Sequence, residues 1–121
     1  MKKLYLMLIL SAVVLAGCSK RVYIEDDIDP DYWMRTHQKG TVAYVDYFTG
    51  NYIVDTHNGY SVIESVSGVT PREYDREYAN FSNRGIQTIY NRDAGYFTEG
   101  RVIDSWLSWS DAMYLLDEIS R

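Results

Sequence analysis

The chain has 121 residues, 17 acidic against 12 basic, and a formal net charge of −5 at pH 7. That length supports one small domain with one modest core. The acidic balance disfavours a nucleic-acid partner, because phosphate binding draws on clustered Lys and Arg, whereas Arg72, Arg76, Arg84, Arg92 and Arg101 are dispersed.

Met1-Lys2-Lys3 makes a positive start, and the 13 residues from Leu4 to Ala16 are mostly apolar. As a helix that run would extend about 20 Å, short of the roughly 30 Å hydrocarbon core of a bilayer. The competing readings are a transmembrane anchor or a buried N-terminal helix, but the layout of basic flank, apolar middle and small residues is that of a signal peptide. Leu15-Ala16-Gly17-Cys18 closes the run. This segment resembles the type II signal peptide of bacterial lipoproteins, with its lipobox, over residues 1 to 18.

The resemblance implies that a diacylglyceryl group is joined to the Cys18 sulfur and that a peptidase recognising Leu15, Ala16 and Gly17 cuts before Cys18. In many bacteria a further acyl chain, such as palmitate, is placed on the new amine. Two or more chains convert marginal membrane binding into stable anchoring. Ser19, rather than Asp, follows the cysteine, which by analogy points to the outer membrane of a Gram-negative envelope. Cys18 is the only cysteine, so lipidation would leave no thiol for a disulfide, a metal or a nucleophile. The processed chain would keep 104 residues, 10 basic and 17 acidic, for a net charge of −7.

Residues 18 to 39 read as the attachment site and an acidic tether. Glu25-Asp26-Asp27-Ile28-Asp29-Pro30-Asp31 is a cluster of the kind that stays solvated. As a coil the segment would reach about 25 Å. Tyr32-Trp33-Met34 is the part able to fold back on the domain.

From Gly40 the pattern changes to short strands. Thr41 to Phe48 is rich in β-branched and aromatic residues, which fit a pleated surface. After Thr49-Gly50-Asn51, a second strand covers Tyr52 to Thr56, and Asn58-Gly59 is the favoured pair for a type I′ hairpin into a third strand, Tyr60 to Ser65. These three strands form an antiparallel meander. Thr70-Pro71-Arg72-Glu73 carries helix-start signals, but the run is too short and polar to continue, and reads as a loop. Strands at Glu77 to Phe81, Ile86 to Tyr90 and Arg101 to Leu107 follow. Ser108 is an N-cap for a closing helix whose Ala112, Leu115, Leu116 and Ile119 share one face. The fold class is therefore mainly β: a small antiparallel curled sheet or partly open barrel, OB-like or SH3-like, of five to six strands with one short C-terminal helix over residues 40 to 121.

Candidate chemistry is sparse. Asp27, Asp29 and Asp31 have the alternate spacing of an EF-hand loop, but Tyr32 and Gln38 occupy the places that need Gly and Glu. His37 and His57 are far apart with no cysteine to join them. No metal or other cofactor is expected. Asp55, His57 and Ser61 could be tried as a triad, but no nucleophile elbow is present. Asp46, Asp55, Glu64, Glu99 and Asp104 leave paired-carboxylate chemistry open. The best lead is aromatic: Tyr44, Tyr47, Tyr52, Tyr60 and Trp106 are the candidates for a binding surface, against the alternative that such rings fill the core. The expectation is a lipid-anchored cell-envelope protein, a non-enzymatic binding or structural module. Its partners would be the membrane, through the lipid on Cys18, and another envelope protein or a cell-wall glycan. A small accessory enzyme or substrate-binding lipoprotein acting on glycans or peptides is the alternative.

Overall fold

A computed structural model describes residues 28–121; the lipobox, Cys18 and Asp27 lie outside the described residues. Where an extended tether was expected, Pro30–Thr36 forms a short helix, α1. Asp29 is its cap, accepting the Asp31 N–H at 3.1 Å, and Pro30 follows at the first helical position, where its missing N–H costs nothing. Trp33 belongs to the compact unit Trp33–Arg121. Its indole stacks on His37 at 3.6 Å, meets Phe97 edge-on, and donates from Nε1 to the Tyr78 carbonyl at 2.8 Å.

Six strands follow: β1 (Gln38–Val45), β2 (Tyr52–Thr56), β3 (Gly59–Ser65), β4 (Arg76–Ala79), β5 (Gly85–Asn91) and β6 (Tyr96–Leu107). Helix α2 (Trp109–Ile119) ends the chain. The strands pair in the order β1-β2-β3-β6-β5-β4, and β4 returns to β1, so the fold is the small mainly β barrel with a C-terminal helix that the strand pattern implied, and the barrel is fully closed. Closure satisfies both edges of every strand at once.

Several boundaries differ from the sequence pattern, each for a local reason. β1 stops at Val45, not Phe48, because the Asp46 carboxylate accepts from Phe48 N–H and the Thr49 hydroxyl and folds the chain into a turn. The β2–β3 reversal is centred on His57-Asn58, one residue earlier than a type I′ Asn-Gly turn requires. Asn58 stays at negative φ and Gly59 takes the left-handed conformation at +109° as β3 begins. β6 starts at Tyr96, five residues before Arg101, and shifts register twice against β3. The second irregularity carries Trp106, at φ +60°.

Two apolar cores result. Val42, Val45, Tyr52, Val54, Ile63, Ala79, Phe81, Ile89 and Val102 fill the barrel. On the outside, Ala112 and Leu116 of α2 cover Ile53 and Val62. Ser108 caps α2 as expected, accepting the Asp111 N–H at 3.2 Å, and Leu115 and Ile119 pack at the margin of that outer cluster.

The interior is narrow enough to demand glycine at two strand positions. A Cβ on Gly40 would lie 2.2 Å from Val54 Cγ1, and one on Gly100 would lie 2.7 Å from Ile63 Cγ2 and 2.9 Å from Ile89 Cδ1. Overpacking of a filled core costs about 1–3 kcal/mol. Gly100→Ala is therefore expected to lower the unfolding free energy by that amount, read from a lower urea midpoint, and Gly40→Ala by at least as much. An unchanged midpoint in both would show that the barrel has slack.

Candidate functional site

Cross-strand pairing lines up one row of outward residues. Thr41 of β1 faces Asp55 of β2, Asp55 faces Tyr60 of β3, and Tyr60 faces Leu107 of β6. Residues paired this way share a face of the sheet. One step along, α2 covers Ile53 and Val62, but its first residue, Trp109, reaches only to Tyr60, ring centroids 5.1 Å apart and 64° inclined. The Thr41–Asp55–Tyr60 row is left open beside it.

The far wall is Tyr74. The backbone around it extends the β1 ladder, with Tyr74 N–H donating to the Val42 carbonyl at 2.7 Å and Val42 N–H donating to the Asp75 carbonyl at 2.9 Å. Tyr74 sits at φ +74° with 79% of its surface exposed. A bulky residue in the left-handed region costs about 1–2 kcal/mol, and such strain concentrates at ligand-contacting positions. Thr41, Asp55, Tyr60, Tyr74 and Trp109 thus bound a groove of about 460 Å³ with Val42 and Ala43 as its floor. That is the size of an ordinary small-ligand site.

The aromatic residues expected to share a surface are dispersed. Tyr52 is a correction: it points into the barrel, 3% exposed, because its strand position alternates with Ile53 and the inside needs its volume. Tyr60 alone enters the groove. Tyr44 lines a separate hollow of about 150 Å³ with Met113, Leu116 and Ser120. Tyr47 projects from the turn after β1, and Trp106 from the β6 irregularity, both well exposed and outside the groove. Tyr74 and Trp109 were missed. Tyr74 lies in a stretch without periodicity, so nothing local signals it. Trp109 is three and seven residues before Ala112 and Leu116, an extension of the apolar face that the sequence does display.

The other chemistry weighed from the sequence does not converge. Ser61 is inside the barrel, donating to the Phe81 carbonyl at 3.0 Å, while Asp55 is on the outer face, so the two cannot share a triad with His57. Among the strand carboxylates, Asp46 is held by its turn, Glu64 pairs with Arg101, and Asp104 pairs with Arg84. A polar concavity of about 370 Å³ is lined by Thr70, Arg72, Asp75, Asp93, Ala94 and Tyr96. Its acids are also engaged. Asp75 accepts from Arg72 N–H and Asn91 Nδ2. Asp93 accepts two bonds from the Arg76 guanidinium and one from its N–H, which hold its carboxyl down at about 2.

One titratable group is unlike the rest. Glu77 of β4 is fully buried in the barrel, and neither of its oxygens has a hydrogen bond of ordinary geometry. Burial raises its pKa from 4.5 to about 8; the nearby Tyr52 hydroxyl opposes the rise and the negative Asp75 adds to it. Tyr52 is pushed up in turn, first by burial and then by Glu77. Glu77 is therefore mostly neutral at pH 7.

Comparison with known proteins gives no match: no family model, no curated protein and no solved structure is similar to the chain.

The sign of the Glu77 effect is fixed. The folded state holds its proton between about pH 4.5 and 8 while the unfolded chain releases it. Stability is then fully present below 4.5 and falls as pH rises, by up to about 1.4 kcal/mol per unit. Asp93 acts oppositely and only below about pH 4, so the windows do not overlap. Urea unfolding at pH 5, 6, 7 and 8 is expected to show that decline, and Glu77→Gln to flatten it. A decline that persists undiminished in Glu77→Gln would assign it to other groups.

Proposed function

We propose that this chain is a lipid-anchored protein of the bacterial cell envelope, and that its barrel is a non-enzymatic binding module whose ligand seat is the groove beside Trp109. The anchor reading is supported by the sequence of residues 1 to 18. Leu15-Ala16-Gly17 presents small residues where a peptidase must lay the backbone beside an acylated side chain, and Cys18 supplies the sulfur. By analogy Ser19 directs the product to the outer membrane. No helix among the described residues is long and apolar enough to cross a bilayer. The partner is another envelope protein or a cell-wall glycan.

The observation that carries the binding reading is Tyr74. An exposed aromatic ring held in an unfavourable backbone conformation adds nothing to the core. It lines the same groove as Trp109 and Tyr60, so a ligand there meets three aromatic rings and two polar groups, Asp55 and Thr41. Rigid aromatic anchors with a few polar partners are the common anatomy of binding hot spots.

Two experiments test the two halves. Cys18→Ala is expected to abolish incorporation of labelled fatty acid and to leave an uncleaved precursor; continued labelling would defeat the anchor. For the groove, a diazirine amino acid at Thr41 in intact cells is expected to give an adduct that the same probe at Ile86, exposed on β5, does not. Tyr74→Asn relieves the left-handed strain and is expected to raise stability by about 1 kcal/mol while abolishing the Thr41 adduct. Equal labelling at both positions, or labelling indifferent to Tyr74, would remove the groove as the ligand seat.

A further inference from the structure

We infer that the groove takes an alkylated ammonium group, a cation with an apolar shell, carried on a larger ligand. This rests on the groove being the ligand seat and adds what that seat selects. The first observation is the lining. Tyr60, Tyr74 and Trp109 border one space, with Trp109 packed edge-to-face on Tyr60, ring centroids 5.1 Å apart and 64° inclined. Aromatic rings gathered at one site present negative π density to a cation, the chemistry that recognises quaternary ammonium.

The second observation is the charge. Asp55 lies in the groove, and among the described residues its carboxylate makes no side-chain hydrogen bond or ion pair. Most other surface acids near the strands are committed: Asp93 to Arg76, Asp104 to Arg84 and Glu64 to Arg101. Among the described residues no Lys, Arg or His lines the groove. The neighbouring basic residues are Arg76, paired across from Thr41 but committed to Asp93; Lys39, two positions along β1 from Thr41; and His57, in the turn after β2. Among the described residues none of them pairs with Asp55. A lone carboxylate among three rings complements a positive group and repels an anion. A neutral sugar would be served by the rings but would not need a charge free of any competing partner.

The groove, at about 460 Å³, is larger than a trimethylammonium group alone. The remaining space and the Thr41 hydroxyl suit a polar body attached to the cation. A free alkylammonium solute and a choline-type headgroup share this chemistry.

The test uses the full-length lipidated protein in maltoside detergent, titrated with choline and followed by calorimetry. Saturable binding is expected, and 3,3-dimethylbutanol, the uncharged isostere, is expected to bind at least about fivefold more weakly. Asp55→Asn is expected to weaken choline about fivefold and leave the isostere unchanged. Asp55 is exposed, so this variant keeps the fold, and its urea midpoint checks that. Trp109→Ala is expected to weaken both ligands. Competition by glycerophosphocholine would assign the group to a lipid headgroup, and its exclusion to a free solute; either result keeps the ammonium class. Equal affinity for choline and its isostere, or choline binding indifferent to Asp55, overturns the inference. If choline fails while a neutral disaccharide binds in a Trp109-dependent way, the ammonium class falls and the groove stands. If no probe binds and the Thr41 crosslink is also absent, both fall.

Discussion

The seam between β1 and β4 is the contact on which the rest of the molecule depends. Gly40 sits in it twice over, paired with Thr56 on one side and Glu77 on the other. Its missing side chain admits Val54 and Phe81 to the interior. Without that close approach the sheet would stay open, with β1 and β4 presenting unpaired backbone. The same seam continues past β4 through the Val42 bonds to Tyr74 and Asp75. Tyr74 is thus placed by closure of the barrel, and the groove it bounds exists because the ladder runs on.

A second layer follows from the two-faced character of β2 and β3. Tyr52 and Val54 point inward while Ile53 points outward, and all three are buried. The outer cover is one helix of 11 residues, about 16 Å long. It seals Ile53 and Val62 but ends before the Asp55–Tyr60 row. The groove is where the cover runs out. Its aromatic edge, Trp109, is the helix's own first residue, fixed by the Ser108 cap.

Inside the barrel the polar residues divide into those that are satisfied and one that is not. Ser61 donates to a carbonyl, and Asn91 bonds Asp75 and the Ala94 N–H. Glu77 has no such partner. Losing its proton would bury an uncompensated charge, so at neutral pH it remains mostly a carboxylic acid. The barrel tolerates it by keeping it neutral rather than by pairing it.

How much of this was legible in the sequence depends on the range of each signal. β-branched and aromatic residues marked β1, turn signals such as Thr49-Gly50-Asn51 and Ser82-Asn83-Arg84-Gly85 bounded others, and Ser108 with the Ala112, Leu115, Leu116 and Ile119 face marked α2, because backbone preference and amphipathic period act over a few residues. Asp29-Pro30 was also a readable helix start, hidden inside an acidic run that looked solvated. The resemblance of Leu15 to Cys18 to a lipobox is a reading of sequence alone. Closure, by contrast, needed β4 to meet β1 across more than thirty intervening residues, and no local pattern encodes that pairing. Which tyrosines face inward, the burial of Glu77, and the groove that Tyr74 and Trp109 share all follow from it. Strand pattern is written in neighbours; the inside and outside of this barrel are defined only once its fourth strand finds its first.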